Sequence, residues 1–224
     1  MPDSEQKYES RATERLMLFS DAVVAIAVTL LAIELPVPSG DTVGTFWSSV
    51  RHNDGHYAAF VISFVVIAAA WSNHHDLFRY VERTDTRLRT FNTAWLMTIV
   101  VIPFATKLLT VSGDQTLDTH ALRFGFYALV QVLESAALLA MLRHMISHQQ
   151  APEAPRPALD DMGWQAWNFV AAFGLSIPFF FVTTYAWVFW FAVPLLAVQL
   201  RRRITHHRPF GSNRRGPGSP AAGA

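Results

Sequence analysis

Residues 15–35 read RLMLFSDAVVAIAVTLLAIEL, and this stretch decides the class of the protein. At a rise of about 1.5 Å per residue, about 20 apolar residues cross the hydrocarbon of a bilayer as one helix. The apolar run is interrupted only at the polar positions Ser20, Asp21, Thr29 and Glu34. A secretory signal has a shorter apolar core than this run and a cleavage site of small residues, which PVPSG after the run does not supply. We therefore predict a retained first membrane span with a carboxylate near its start.

The composition of the whole chain agrees with a membrane protein. Of the 224 residues, 51% are hydrophobic and 16% are charged, whereas soluble chains carry about 25% charged residues. The absence of cysteine excludes disulfides, Cys-ligated metals and thiol nucleophiles. The sequence also carries no convincing nucleophile–base pair, phosphate loop or nucleic-acid module. We expect no enzyme activity, no cofactor, no metal site and no nucleic-acid partner.

Further apolar stretches predict an all-α, polytopic membrane protein with six spans. The predicted spans cover residues 16–35, 56–77, 91–111, 119–142, 163–179 and 184–200. They lie in a transmembrane domain, residues 15–202, between a cytoplasmic N-terminus, residues 1–14, and a disordered basic tail, residues 203–224. Thr42-Val43-Gly44 resembles part of a carbonyl filter, but Thr45-Phe46 follows it, and we interpret it as a helix start.

The distribution of basic residues predicts the orientation. With six spans and an internal N-terminus, 15 of the 18 Lys and Arg residues fall on the cytoplasmic side. The exceptions are Arg51, Lys107 and Arg123. Because basic residues concentrate in cytoplasmic loops, we expect a multi-pass protein of the cell membrane with both termini in the cytoplasm.

Polar residues of the first two spans are predicted to meet at the cytoplasmic side. Ionisable residues at membrane depth are expensive and are functional-site candidates. The topology brings the start of the first span to the level of residues 71–76, WSNHHD, at the end of the second. We expect a buried network that holds the first span; the alternative is an ordinary cap of interfacial side chains. The residues at this level are Arg15, Ser20, Asp21, Asn73, His74 and His75.

Deeper in the first span, an aliphatic stripe follows the helical period. Ile26, Leu30 and Ile33 are spaced as i, i+4 and i+7, which places them on one face of a helix. Thr29 lies beside that face. Such a stripe is by itself typical of packing or lipid contact, and only further information makes it a pore.

The pattern Arg15-x-x-x-Phe19-Ser20-Asp21 at the start of the first of six spans resembles the signature of the transmembrane protein 175 family in its prokaryotic form. Trp71-x-x-His74-His75 at the end of the second span is similar to that family too. The resemblance implies a potassium-preferring cation channel, a homotetramer in the lipid bilayer whose central pore is formed by the first helices.

The resemblance also implies roles for particular residues. Large aliphatic rings at Ile26, Leu30 and Ile33 form the constriction, with Ile26 the narrowest, and Thr29 is the selectivity candidate. The Arg15–Asp21 motif and the polar end of the second span, with Asn73 and His74, support the pore helices. Physically, an aliphatic ring gates by hydration and favours K⁺, the more cheaply dehydrated ion. Glu34 and Asp41 at the outer end attract cations or are ordinary solvated charges.

Two other classes of function stay open at this point. A proton-coupled secondary transporter, or a proton-permeable channel, would use Asp21, His74 and Glu134 as a proton path; for Glu134, the alternative is inter-helix hydrogen bonding. A metal-dependent intramembrane enzyme would use His144 and His148, whose i, i+4 spacing suits a metal, but no third ligand is evident.

Overall fold

A computed structural model describes residues 2–111 and 116–206, and in these residues the only regular elements are helices. The helices are α1 (Pro2–Ile33), α2 (Val43–His52), α3 (Asp54–Phe78), α4 (Thr86–Leu109), α5 (Leu117–Ser147), α6 (Arg156–Phe179) and α7 (Phe189–His206). A single 3₁₀ turn, Ala186–Val188, precedes α7. The predicted all-α class is therefore confirmed.

Four helices are long and apolar enough to cross a membrane. The candidate spans in the described residues are Arg11–Ile33, Asp54–Phe78, Thr86–Leu109 and Leu117–Ser147. α6 is not among them, and the apolar helix Ala186–Arg201 is shorter. The chain is thus a polytopic helical membrane protein.

Several helix ends differ from the predicted span ends. α1 begins at Pro2, and α6 begins at Arg156, because Pro157 at its first turn has a fixed φ that suits a helix start. α7 runs to His206, past the predicted start of the tail; residues 207–224 of that tail lie outside the described part. The predicted helix start near Thr42 is confirmed, since Thr42 and Thr45 form a reciprocal capping box.

From α4 onward, helices that are consecutive in the chain pack against each other, whereas α1 packs against helices that are not next to it in the chain. α4 packs on α5, α5 on α6, and α6 on α7, whereas α1 packs on both α3 and α4. A single apolar core with fully buried Trp95, Ile99 and Ile102 of α4 links these helices. α4 is therefore the element that connects α1 to the rest of the subunit.

Candidate pore helix and its polar support

α1 has two faces with opposite surroundings. Ser20, Val24, Ala27 and Leu31 are buried against the subunit, because residues three, four and seven apart share one side of a helix. On the other side, the exposed fractions are 59% for Ile26, 45% for Leu30 and 76% for Ile33. The aliphatic stripe is thus left exposed by the rest of the described chain.

Thr29 lies next to the stripe and is also exposed. Its hydroxyl donates to the carbonyl of Ile26 at 2.8 Å. Since the only hydroxyl proton is used inside the helix, the oxygen presents lone pairs outward. The side chain is therefore an acceptor, which is the chemistry that a cation requires.

A buried hydrogen-bond chain joins the opposite face of α1 to α4 and α3. Ser20 donates to the carbonyl of Leu16 at 2.9 Å and accepts from Nδ2 of Asn92 at 3.0 Å. Oδ1 of Asn92 lies 2.6 Å from Nε2 of His74. Because that oxygen can only accept, the imidazole must donate through Nε2. The side chains thus form one donor–acceptor series that runs from His74 through Asn92 to Ser20.

Aromatic rings enclose His74 and extend the chain of contacts to α5. The imidazole stacks on Trp95, with ring centroids 4.1 Å apart, and on Phe78 at 4.4 Å. The indole of Trp95 donates to Glu134 Oε1 at 2.6 Å, and Ser135 donates to Oε2 at 3.0 Å. Glu134 therefore accepts an inter-helix hydrogen bond, which was the alternative to a role in a proton path.

Asp21 has a separate partner on α3. The indole of Trp71 donates to Asp21 Oδ1 at 2.8 Å. The Trp71 ring in turn lies 5.5 Å from the ring of His75. Nδ1 of His75 is buried without a hydrogen bond among the described residues. The carboxylate of Asp21 thus holds α1 to α3, and the hydroxyl of Ser20 holds α1 to α4.

Three predicted members of the network lie elsewhere. Arg15 and Phe19 are exposed on α1, and the side chain of Asn73 is half-buried. Neither Arg15 nor Asn73 makes a side-chain hydrogen bond or ion pair with any described residue. The reason is helical geometry, because at about 100° per residue Arg15 points about 140° away from Ser20, and Asn73 about 100° away from His74.

The network contains one residue that the sequence patterns did not single out. Asn92 of α4 is fully buried and bonds to both Ser20 and His74. The sequence indicated Asn92 only as a single amide in the apolar stretch TFNTAWLM, residues 90–97. An amide at membrane depth needs partners, but no pattern in the sequence named them.

At the other end of α1, the acidic residues have different surroundings. Glu34 Oε2 lies 2.7 Å from Nζ of Lys107 on α4, whereas Asp41 is exposed in the α1–α2 connection. The Glu34–Lys107 pair lines a cavity of about 280 Å³ together with His56 and Phe60 of α3. Lys107 therefore partly neutralises the charge of Glu34.

The two histidines considered for a metal, His144 and His148, both have hydrogen-bond partners within the described residues. Nε2 of His144 lies 2.7 Å from Asp85 Oδ2, while Oδ1 of Asp85 accepts from the N–H of Leu88 and caps α4. Desolvation acts to raise the pKa of Asp85, but the hydrogen bonds from Leu88 and His144 outweigh it and lower the pKa to about 2. Within the described ranges, no group of three or more potential ligands is suited to a metal ion.

Comparison with known proteins places this geometry in a family. Residues 15–103 match the sequence profile described as endosomal/lysosomal potassium channel TMEM175. A potassium channel of Streptomyces collinus is 36% identical over 146 residues, 64% of this chain and 70% of that protein. One from Chamaesiphon minutus is 42% identical over 104 residues, 45% of this chain and 51% of that protein.

A solved structure extends the similarity over most of the chain. The crystal structure of a lysosomal potassium-selective channel TMEM175 homologue from Chamaesiphon minutus superposes with a TM-score of 0.66 at 27% identity. The match covers 86% of this chain and 98% of the homologue. The matched profile begins at Arg15 and reaches Pro103, so it includes the α1 signature, Trp71, His74 and Asn92. The chain belongs to the TMEM175 family.

Proposed function

We propose that this chain is one subunit of a potassium-preferring channel of the cell membrane, with α1 lining the ion pathway. The observation that carries the proposal is the division of α1 into a face bonded to its own subunit and an unpartnered aliphatic face. The relatives from Streptomyces collinus and Chamaesiphon minutus are named potassium channels. Passive conduction, rather than enzymatic chemistry, is the function that this membership supports.

The assembly is a homotetramer of six-span subunits, with α1 and α3–α7 as the spans. A single helix face cannot enclose a path for ions, so several copies of the Ile26 face must meet around an axis. The bonds of Ser20 and Asp21 on the opposite face leave α1 free to take this position. The excess of basic residues at the Arg15 end favours cytoplasmic termini.

Ile26, Leu30 and Ile33 form successive aliphatic rings, with Ile26 as the narrowest. Such rings exclude water when narrow and gate conduction by dewetting. An ion that passes must lose part of its hydration shell, which favours K⁺ over Na⁺. Thr29, whose oxygen presents only lone pairs, supplies a compensating ligand near the constriction.

The polar network supports α1 instead of conducting. Arg15 contributes to the basic cytoplasmic end of α1, and Phe19 lies seven residues before Ile26 on the same exposed face. Ser20, Asp21, Trp71 and His74 hold the opposite face. Asp41 and the partly neutralised Glu34 attract cations at the outer mouth.

The test is the substitution Ile26→Asn in protein reconstituted into planar bilayers. A polar ring at the constriction wets it, so single-channel conductance should rise and the K⁺/Na⁺ permeability ratio should fall. The matched control is Met97→Asn, which places the same amide on a position of α4 that is at least as exposed as Ile26. Wild-type currents from Ile26→Asn, or equal changes from both variants, would refute the pore assignment.

The competing transporter makes a different prediction. It requires a proton path from Asp21 through His74 to Glu134, and between His74 and Glu134 stands the stacked ring of Trp95. If protons were coupled there, Glu134→Gln would abolish saturable, pH-driven uptake. The channel proposal expects ohmic currents that persist in Glu134→Gln wherever the variant folds.

A further inference from the structure

α2 is an amphipathic helix whose apolar face has no partner in the subunit. Val43, Phe46, Trp47 and Val50 are spaced as i, i+3, i+4 and i+7, so they form one stripe. The exposed fraction is 76% for Val43 and 55% for Trp47. No residue of α2 is buried. This stripe, Val43–Val50, is thus a surface of apolar and aromatic side chains.

Side chains cap both ends of α2. The capping box between Thr42 and Thr45 satisfies its first backbone groups. At its other end, the side-chain amide of Asn53 donates a hydrogen bond to the carbonyl of Ser49 at 2.9 Å. The helix therefore has its own start and stop signals.

The connections fix where the stripe can lie. Only Asn53 separates α2 from α3, and α3 is a candidate span from Asp54. A ten-residue helix is about 15 Å long, so its whole length stays near the boundary where α3 enters the membrane. The stripe therefore lies within about 15 Å of the point where α3 begins.

Contacts on the other side prevent α2 from turning freely. The N–H of Ser39 donates to Ser49 at 3.1 Å, and the hydroxyl of Tyr57 donates to the carbonyl of Pro36 at 2.9 Å. Gly40 has a φ of +151°, and a Cβ there would lie 2.5 Å from the backbone nitrogen of Phe46. Ser49 of α2 is thus tied to the connection from α1, and the stripe lies on a different side of the helix.

We infer that α2 docks on the bilayer surface through this stripe, and so anchors the end of α1 to the membrane interface. Aromatic residues, Trp above all, favour the headgroup region, where an amphipathic helix buries its apolar face. Arg51 flanks the stripe at its last turn and reaches lipid phosphate from there. The partner is the lipid interface, and a neighbouring subunit is the competing occupant.

The absence of cysteine makes a direct test practical. Phe46→Cys places a bimane label on the stripe, and Ser48→Cys places the same label on the opposite, exposed side of α2. Each full-length variant is reconstituted in phosphatidylcholine vesicles with and without nitroxide on the acyl chains. Iodide is added in parallel on both sides of the membrane.

Lipid nitroxide should quench the label at position 46 several-fold more than the label at position 48, and iodide should show the reverse order. Equal lipid quenching at the two positions would overturn the inference. Protection of position 46 from both quenchers, with disulfide-linked dimers of Phe46→Cys after oxidation, would overturn it in favour of a neighbouring subunit. Val50→Cys repeats the measurement on the stripe if Phe46→Cys does not fold. The readout does not require ion conduction.

Discussion

Replacing Asn92 with alanine should weaken the attachment of α1 to α3 and α4. Asn92 is fully buried, and it is the only described residue that bonds to both Ser20 on α1 and His74 on α3. The substitution removes both bonds at once. Ser20 retains its bond to Leu16, but the Nε2–H of His74 is left unpaired between two aromatic rings.

The expected loss of stability follows from these groups. A side-chain hydrogen bond between membrane helices contributes about 0.6 kcal/mol and at most about 1.7 kcal/mol. An orphaned buried donor adds about 1–3 kcal/mol. We therefore expect Asn92→Ala to lower the free energy of unfolding by about 2–4 kcal/mol. Ser20→Ala should cost less, because it breaks one bond and leaves His74 paired.

Unfolding in mixed detergent micelles measures these differences. Thr93→Ala is the matched control, since Thr93 is exposed on the next position of α4 and bonds only to the carbonyl of Arg89. A double-mutant cycle of Ser20→Ala and Asn92→Ala should give a positive coupling energy. A loss for Asn92→Ala no larger than that of Thr93→Ala, or strictly additive variants, would refute the supporting role of this chain.

Two further predictions concern charged pairs. Lys107→Gln frees Glu34 from its exposed ion pair: it should cost under about 1 kcal/mol of stability and raise single-channel K⁺ conductance at low salt. The gain should vanish at high salt because of screening, and Lys107→Arg should show none. Asp85 has a pKa lowered from 3.8 to about 2 in the folded protein. Its stabilising contribution is therefore complete above pH 3.8 and is lost as the pH falls toward 2. Thermal melting over this range should show a smaller acid-induced loss in Asp85→Asn; an identical loss would contradict the assignment.

The sequence predicted the first span and its two faces because hydrophobicity and helical period are local properties. The i, i+4, i+7 spacing of Ile26, Leu30 and Ile33 places them on one side of the helix, and that side is exposed in the structure. The sequence also placed Ser20 and His74 at one level of the membrane, and their bonds meet at Asn92.

The partners themselves depend on the rotation of each helix, which no local pattern encodes. The sequence groups Arg15 and Asn73 with Ser20 and His74, but neither side chain joins their hydrogen bonds, because each points to another side of its own helix. Lys107 and Glu34 are far apart in the chain, and their pairing follows from the same packing. The sequence thus predicted which helix segments meet, whereas the hydrogen-bond partners became known only from the fold.

The most direct test of the central claim is the reversal potential of reconstituted wild-type protein under opposing K⁺ and Na⁺ gradients. A potassium-preferring pore along α1 predicts stepwise, ohmic currents that reverse toward the K⁺ equilibrium potential. Electrical silence across voltage and pH, together with saturable gradient-driven uptake in the same vesicles, would contradict it.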